Sequence, residues 1–138
     1  MNKGFETCTT NTAISTLSDK KAIKKVIEDE NTSFQLGNFS QWAECFVQNE
    51  LTYISNSKGL RIAPRTTELF GWEEIAQFMQ QEFQASPDFE VYVDEKTLDI
   101  SLMEEMAFVD IWVAEQKIQS FVLEKSKNYW SILRKNSF

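Results

Sequence analysis

The stretch MAFVDIWVAE, residues 106–115, has the composition of a β-strand that lies between two apolar layers. Successive side chains of a strand point to opposite sides of the sheet. One side of this strand therefore carries Ala107, Val109, Ile111 and Val113, and the other side carries Phe108, Asp110, Trp112 and Ala114. An antiparallel sheet with one face in water alternates apolar and polar residues, so this pattern predicts a sheet that is covered on both faces. Asp110 is the exception, because burying a lone carboxylate is costly.

Strand patterns continue before and after this stretch. They cover residues 51–56, 89–94 running on into 98–103, 118–126 and 129–136. The later strands are separated by short turns at Glu104-Glu105, Glu115–Lys117 and Lys127-Asn128. Connections of this length predict antiparallel neighbours, and therefore a meander of long strands in the C-terminal half.

The N-terminal half has helical periodicity instead. From Ser18, apolar residues recur at steps of three and four until Gly37, which predicts a long helix with a glycine C-terminal cap. Glu30 is unusual because it occupies the apolar stripe of that helix. Asn38 is placed to cap a second, short helix, and Gly71 precedes a third, amphipathic helix. Helices followed by a meander predict an α+β domain, with the helices packed on one face of a curved antiparallel sheet.

The length of 138 residues fits a single domain, which we assign to residues 18–138. The Thr-rich segment 1–17 is predicted to be a poorly ordered tail without the apolar stretch of a secretion signal. No apolar run approaches the roughly 18 residues of a membrane span. The two cysteines, Cys8 and Cys45, form no CxxC pattern, which predicts a reduced, cytoplasmic setting and an unreactive Cys45.

Composition argues against several functions. The chain has 21 acidic residues against 14 Lys and Arg and a net charge of −7, so nucleic acid is not an expected partner. It contains no histidine, which removes the side chain best suited to proton transfer near neutral pH and the commonest transition-metal ligand. Neither a metal-spaced cluster of Asp, Glu or Cys nor a glycine-rich phosphate loop is present. We therefore expect no metal and no cofactor.

Five segments carry a family pattern: AIKKVIEDENTSFQLGNFSQWAECF (22–46), LTYIS (51–55), LFGWEEIAQFM (69–79), MAFVDIW (106–112) and NYWSIL (128–133). In this order they resemble the NTF2-like superfamily, and within it the small bacterial SnoaL-like and DUF4440-type proteins. The resemblance implies a cystatin-like cone, in which three N-terminal helices pack on a strongly curved mixed or antiparallel sheet around an apolar pocket. It also implies a homodimer formed through the outer face of the sheet.

The catalytic positions of the related enzymes are not retained. Counted from Gly37, the positions that carry the tyrosine, the aspartate and the further tyrosine of ketosteroid isomerase are Glu30, Ile54 and Met79 here. A hydrocarbon side chain cannot transfer a proton, so that isomerase route is excluded. The His and Asp pair of dehydratase-type relatives is excluded because the chain has no histidine. The resemblance therefore implies a fold without implying a particular reaction.

One catalytic hypothesis survives. Spacing and the resemblance turn Asp110 toward the pocket, opposite Glu30. Two carboxylates in one apolar cavity suit acid–base chemistry, with Asp110 as the base and Glu30 as the acid or hydrogen-bond donor. The predicted pocket lining consists of Phe34, Trp42, Phe46, Ile54, Met79, Phe83, Phe108 and Trp112.

Structural roles compete with this hypothesis. Asp110 could form a salt bridge with Arg134, or with Arg61 or Arg65 on the loop at the pocket mouth. If the strand faces the other way, Asp110 would lie in a dimer interface instead. Glu30 could simply reach water at the pocket rim through its flexible side chain.

Three functions follow from these alternatives. The first is the binding of a small, mostly apolar molecule in the pocket. The second is an isomerase, cyclase or dehydratase that uses Asp110 and Glu30. The third is a non-catalytic homo-oligomerisation module with a vestigial pocket. The first function requires a cavity on the order of 300 Å³ or more that opens to solvent.

Overall fold

The computed structural model describes the backbone of residues 3–60, 65–85 and 96–138, and the side chains of these ranges from residue 16 onwards. Two helices and two short strands precede a third helix and four long strands. The elements are α1 (Lys3–Gln35), α2 (Phe39–Glu44), β1 (Tyr53–Asn56), β2 (Thr67–Phe70), α3 (Trp72–Ala85), β3 (Lys96–Met103), β4 (Met106–Val113), β5 (Gln116–Ser126) and β6 (Tyr129–Ser137). This order confirms the predicted α+β class.

The junction of α1 and α2 forms as the sequence predicts. Gly37 has a φ of 68°, and the backbone N–H of Asn38 donates to the carbonyl of Ser33 at 2.9 Å, which closes the end of α1. Asn38 also caps α2, because its Oδ1 accepts the backbone N–H of Gln41 at 3.1 Å. Two consecutive capping interactions therefore fix the angle at which the chain leaves the first helix.

Helix α1 begins at Lys3, well before the predicted start at Ser18. The Thr-rich stretch has no apolar stripe, so periodicity could not detect it, yet extending an existing helix requires no new nucleation. The prediction that residues 1–17 are poorly ordered stays a prediction. Although α1 has 33 residues, no helix in the described ranges is long and apolar enough to cross a membrane.

The six strands form one mixed sheet in the order β2-β1-β6-β5-β4-β3. Strands β3 to β6 are antiparallel neighbours, as predicted. Strand β1 pairs antiparallel with β2 and parallel with β6, which joins the N-terminal hairpin to the meander. The sequence analysis missed β2, because four residues between a loop and a glycine are too few for a pattern. The predicted strand 89–94 lies outside the described residues, and the strong curvature stays a prediction.

The inner face of the sheet packs against α1 and α3 to form the core. Helix α1 contributes Ile23 and Ile27, and helix α3 contributes Ile75 and Met79. The buried sheet residues of the same cluster are Ile54, Leu69, Ala107, Val109, Ile111, Phe121, Leu123, Trp130 and Ile132. The helix stripes predicted from the sequence therefore cover one face of the sheet.

The facing of β4 is the reverse of the prediction. Val109 is fully buried beneath the helices, whereas Phe108 is 43% exposed on the outer face. Asp110 and Trp112 lie on that outer face with Phe108, and the cation of Lys117 lies 5.7 Å from the Trp112 ring. The two sides of this strand are almost equally apolar in sequence, so only the packing of the helices distinguishes them.

Candidate functional site

A cavity of about 230 Å³ lies on the inner side of the sheet, bordered by α1, α2, α3 and the strands β1, β5 and β6. Its apolar wall consists of Phe34, Trp42, Ile54, Leu60 and Met79. Its polar side chains include Glu30, Asn56, Gln119, Lys135 and Ser137. The volume is somewhat below the roughly 300 Å³ at which ligand pockets usually begin, which limits an occupant to a small molecule.

A buried ion pair forms the polar centre of this cavity. Oε2 of Glu30 accepts a hydrogen bond from Nζ of Lys135 at 2.7 Å and another from Nε1 of Trp42 at 2.8 Å. The Glu30 side chain is 3% exposed and that of Lys135 is 12% exposed. Glu30 therefore does not reach out to solvent at the rim, and its charge is compensated inside the protein.

The pair retains capacity for further hydrogen bonds. Both bonds to Glu30 use Oε2, and among the described residues Oε1 of Glu30 has no hydrogen-bond partner. The ammonium group of Lys135 has three donors and, within the same residues, one hydrogen bond. Aromatic rings border the same ammonium group, with ring centroids at 5.5 Å for Phe34 and 5.9 Å for Phe121. A ligand in the cavity could thus meet one acceptor and two donors.

An aromatic cluster supports the wall of the cavity from behind. The Trp42 ring lies 4.5 Å from Phe46 and 5.4 Å from Phe83, measured between centroids. Phe83 in turn makes an edge-on contact with Phe34 at 5.3 Å. These contacts hold the Trp42 indole in place, and with it the N–H that orients the Glu30 carboxylate.

The structure brings together only part of the predicted pocket. Phe34, Trp42, Ile54 and Met79 line the cavity with Glu30. The other predicted members lie elsewhere: Phe46 and Phe83 pack in the core behind the wall, and Phe108 and Trp112 lie on the outer face.

Asp110 is separated from the cavity by the sheet itself. Its side chain is 40% exposed, and its Oδ2 lies 3.9 Å from Nζ of Lys117. It faces Asp99 directly across the β3–β4 pair, an arrangement of like charges that weakens strand pairing. Asp110 and Glu30 therefore do not share a cavity, and the proposed pairing of the two as base and acid has no geometric support.

The arginines considered as partners of Asp110 are placed differently. Arg134 extends over the ring of Tyr53, at 5.9 Å from the centroid. Arg65 is exposed, and Arg61 lies outside the described residues. Among the residues that the structure describes, Lys117 alone lies within ion-pair distance of Asp110.

Sequence reasoning missed Lys135, and an irregularity in β6 explains why. Leu123 pairs with Ile132 but Val122 pairs with Arg134, so Leu133 is an extra residue in the β5–β6 ladder. Such a bulge reverses the facing of the residues that follow it. Strict alternation from Ile132 would point Arg134 inward, whereas the bulge turns Lys135 to the inner face.

Cys45 lines a separate surface groove between α1, α2 and β6. Burial raises the pKa of its thiol to about 12, and the nearby carboxylates of Glu30, Asp29 and Glu44 add to this effect. A thiol in this state is a poor nucleophile, which agrees with the predicted lack of reactivity.

Comparison with solved structures finds chains of similar fold. One is an NTF-2-like protein of unknown function from Shewanella oneidensis, with 17% identity, a TM-score of 0.57 and coverage of 86% of this chain and 98% of that chain. Another is an NTF2-like protein with a cystatin-like fold from Novosphingobium aromaticivorans, with 12% identity, a TM-score of 0.65 and coverage of 92% and 85%. The chain has the NTF2-like fold. The predicted resemblance is therefore confirmed at the level of the fold.

An association domain is also similar in fold to this chain. A putative calcium/calmodulin-dependent protein kinase type II association domain from Thiobacillus denitrificans is 10% identical, with a TM-score of 0.59 over 83% of this chain and 94% of that chain. By sequence, no family model and no curated protein matches this chain. Identities this low carry the fold alone, so the function has to be argued from the site.

Proposed function

We propose that this NTF2-like protein binds a small, mostly apolar molecule that carries a neutral hydrogen-bonding group, such as a hydroxyl. The observation that carries this proposal is the Glu30–Lys135 ion pair, which is buried inside the cavity and not fully hydrogen-bonded by the described residues. A hydroxyl could donate to Oε1 of Glu30 and accept from Lys135 at the same time. Since the two charges compensate each other, the cavity does not require a charged ligand.

The size of the cavity limits the ligand. A volume of about 230 Å³ corresponds to roughly eight water molecules at about 30 Å³ each. A ligand of about ten non-hydrogen atoms would therefore fill it. The wall formed by Phe34, Ile54 and Met79 suits a flat or compact hydrocarbon body, because apolar area removed from water is the main source of affinity in such pockets.

A direct test compares 2-naphthol with naphthalene, which has the same body without the hydroxyl. We expect 2-naphthol to bind about tenfold more tightly, because hydrogen bonds to charged groups contribute roughly 1.5–3 kcal/mol. The preference should be lost in the double variant Glu30→Gln/Lys135→Met, which removes both charges together. Binding is measured by fluorescence titration, and the site is located by 1H–15N chemical-shift changes.

Two variants control for binding elsewhere. Ile54→Trp places a large side chain in the cavity, and Leu60→Trp does so from a less buried position if the first variant folds poorly. Either folded variant should abolish 2-naphthol binding. Chemical-shift changes confined to the outer face of the sheet, or binding that survives a filled cavity, would contradict the proposal.

A role in association rests on the outer face of the sheet. Met103 and Phe108, on the neighbouring strands β3 and β4, are 66% and 43% exposed there, and large apolar side chains left exposed together on a sheet face favour a protein contact. We propose a homodimer through this face. Light scattering should give the mass of a dimer at micromolar concentration, and Phe108→Glu should give a monomer. A wild-type monomer under these conditions would end the dimer proposal and leave the cavity proposal intact.

The cellular setting is part of the same proposal. A cytoplasmic location is supported by the small number of cysteines, which form no pattern of a disulfide framework. We propose no reaction, because the base and acid pair of the sequence analysis is divided between the two faces of the sheet.

A further inference from the structure

A second depression of about 580 Å³ adjoins the cavity and shares three of its lining residues, Asn56, Gln119 and Ser137. We call this depression the vestibule. Its apolar members are Val113, Ile118 and Phe138, and its charged members are Lys58 and Lys96. The cavity and the vestibule therefore lie on two sides of one row of polar side chains.

The shared residues lie on three neighbouring strands. Ser137 on β6 is the register partner of Asn56 on β1 and of Gln119 on β5, so the three side chains form one row on the inner face. Nε2 of Gln119 donates to Oγ of Ser137 at 3.3 Å, which is long for such a bond. Rotation of the flexible Gln119 side chain would break no other side-chain hydrogen bond among the described residues.

The charged side chains that line the vestibule are basic, although the chain as a whole carries a charge of −7. Among the described residues that line it, Lys58 and Lys96 are the only charged side chains, and neither forms an ion pair with another described residue. Two other surface grooves are acidic, one with Glu50, Glu73 and Glu74 and the other with Asp29 and Glu44. Among the described residues, the charged side chains of the vestibule are therefore opposite in sign to those of these two grooves.

We infer that the ligand is an elongated anion whose neutral, hydrogen-bonding end occupies the cavity and whose carboxylate or similar anionic end lies in the vestibule between Lys58 and Lys96. The orientation of the ligand follows from which lysines already have a counter-ion. Lys135 already has Glu30 as its counter-ion, so an anion gains little inside, whereas the two vestibule lysines form no ion pair with any residue that the structure describes. This inference rests on the proposed binding function and specifies its ligand class.

A matched pair of probes tests the inference. The probe 6-hydroxy-2-naphthoate carries a hydroxyl at one end and a carboxylate at the other, and its methyl ester is the neutral control. We expect the wild-type protein to bind the acid about fivefold more tightly than the ester, because the acid can form two partly exposed ion pairs that the ester cannot form. The variant Lys58→Gln/Lys96→Gln should lose this preference, because its binding of the acid is weakened. The variant Lys20→Gln/Lys21→Gln, with the same change of net charge on the exposed side of α1, should keep it.

Salt and cavity variants separate the outcomes. Raising the ionic strength should reduce the preference for the acid in the wild-type protein, because exposed charges are screened, and should change nothing in Lys58→Gln/Lys96→Gln. Equal preference in the wild type and the vestibule variant, or an equal loss in the Lys20 and Lys21 control, overturns the inference. If Ile54→Trp leaves the binding of both probes intact, the cavity proposal itself fails, and this inference fails with it.

Discussion

Replacing Lys135 by Met should lower the free energy of unfolding by about 3 kcal/mol. The substitution keeps the apolar volume of the side chain and removes the counter-ion of Glu30, which is 3% exposed. Breaking a buried ion pair by removing one partner costs roughly 3–5 kcal/mol. We take the lower end because Trp42 still donates to the same carboxylate, and because the adjoining cavity can admit water.

The assay is urea unfolding followed by tryptophan fluorescence, with the thermal midpoint as a second measure. A loss of about 3 kcal/mol corresponds to a decrease in Tm of about 10 °C for a chain of this size. The double variant Glu30→Gln/Lys135→Met should recover to within about 1 kcal/mol of the wild type, because no uncompensated charge remains. Lys25→Met is the matched control: it breaks the Lys25–Asp29 pair, whose side chains are 73% and 52% exposed, and should change stability by less than about 0.5 kcal/mol.

Two results would refute this reasoning. A loss below about 1 kcal/mol in Lys135→Met, with an unchanged denaturant slope, would mean that Glu30 finds another partner or is hydrated. A loss that persists undiminished in Glu30→Gln/Lys135→Met would mean that the packing of the lysine side chain matters and its charge does not.

Three further predictions concern other parts of the molecule. Burial opposes ionisation of Asp19, but hydrogen bonds from Trp130 and Lys125, with the charge of Lys125, outweigh it and lower the pKa of Asp19. Because folding lowers this pKa, the stabilisation is present at neutral pH and is lost as the pH falls. In urea titrations, Asp19→Asn should therefore lower the free energy of unfolding by about 1 kcal/mol at pH 7 and change it very little near pH 3. Burial raises the pKa of Cys45 to about 12, so this thiol should react with iodoacetamide at pH 8 on the order of a thousandfold more slowly than a free cysteine. The reaction is followed by peptide mass spectrometry. Reaction at the rate of a free cysteine would contradict the burial of Cys45. Gly71 has a φ of 82°, so Gly71→Ala should lower the free energy of unfolding by about 1 kcal/mol, and an unchanged urea midpoint would show that the backbone relaxes there.

Elements with a local signal were predictable from the sequence. The cap at Gly37, the N-cap at Asn38 and the two-residue hairpin at Lys127-Asn128 depend on residues within a few positions of one another, and all are present. The amphipathic stripes of α1 and α3 follow from a periodicity that the chain itself carries. Phe34, Ile54 and Met79, which were predicted from the sequence to line a pocket, lie in the apolar wall of the cavity.

Three features depended on contacts between distant parts of the chain. The parallel pairing of β1 with β6 joins segments about eighty residues apart, and no local pattern encodes it. The facing of β4 was wrong because Phe108 and Val109 are equally apolar, and the choice is made by the helices that cover one side. The bulge at Leu133 then decides which cation enters the cavity.

The sequence by itself determined the α+β order, the helix caps, the antiparallel meander and the absence of histidine chemistry, since each of these depends on residue type or on close neighbours along the chain. Tertiary structure alone decided that Glu30 is compensated by Lys135 and that Asp110 lies on the outer face. The physical reason is that one face of a strand is buried and the other is exposed, and one additional residue in the strand exchanges the two faces.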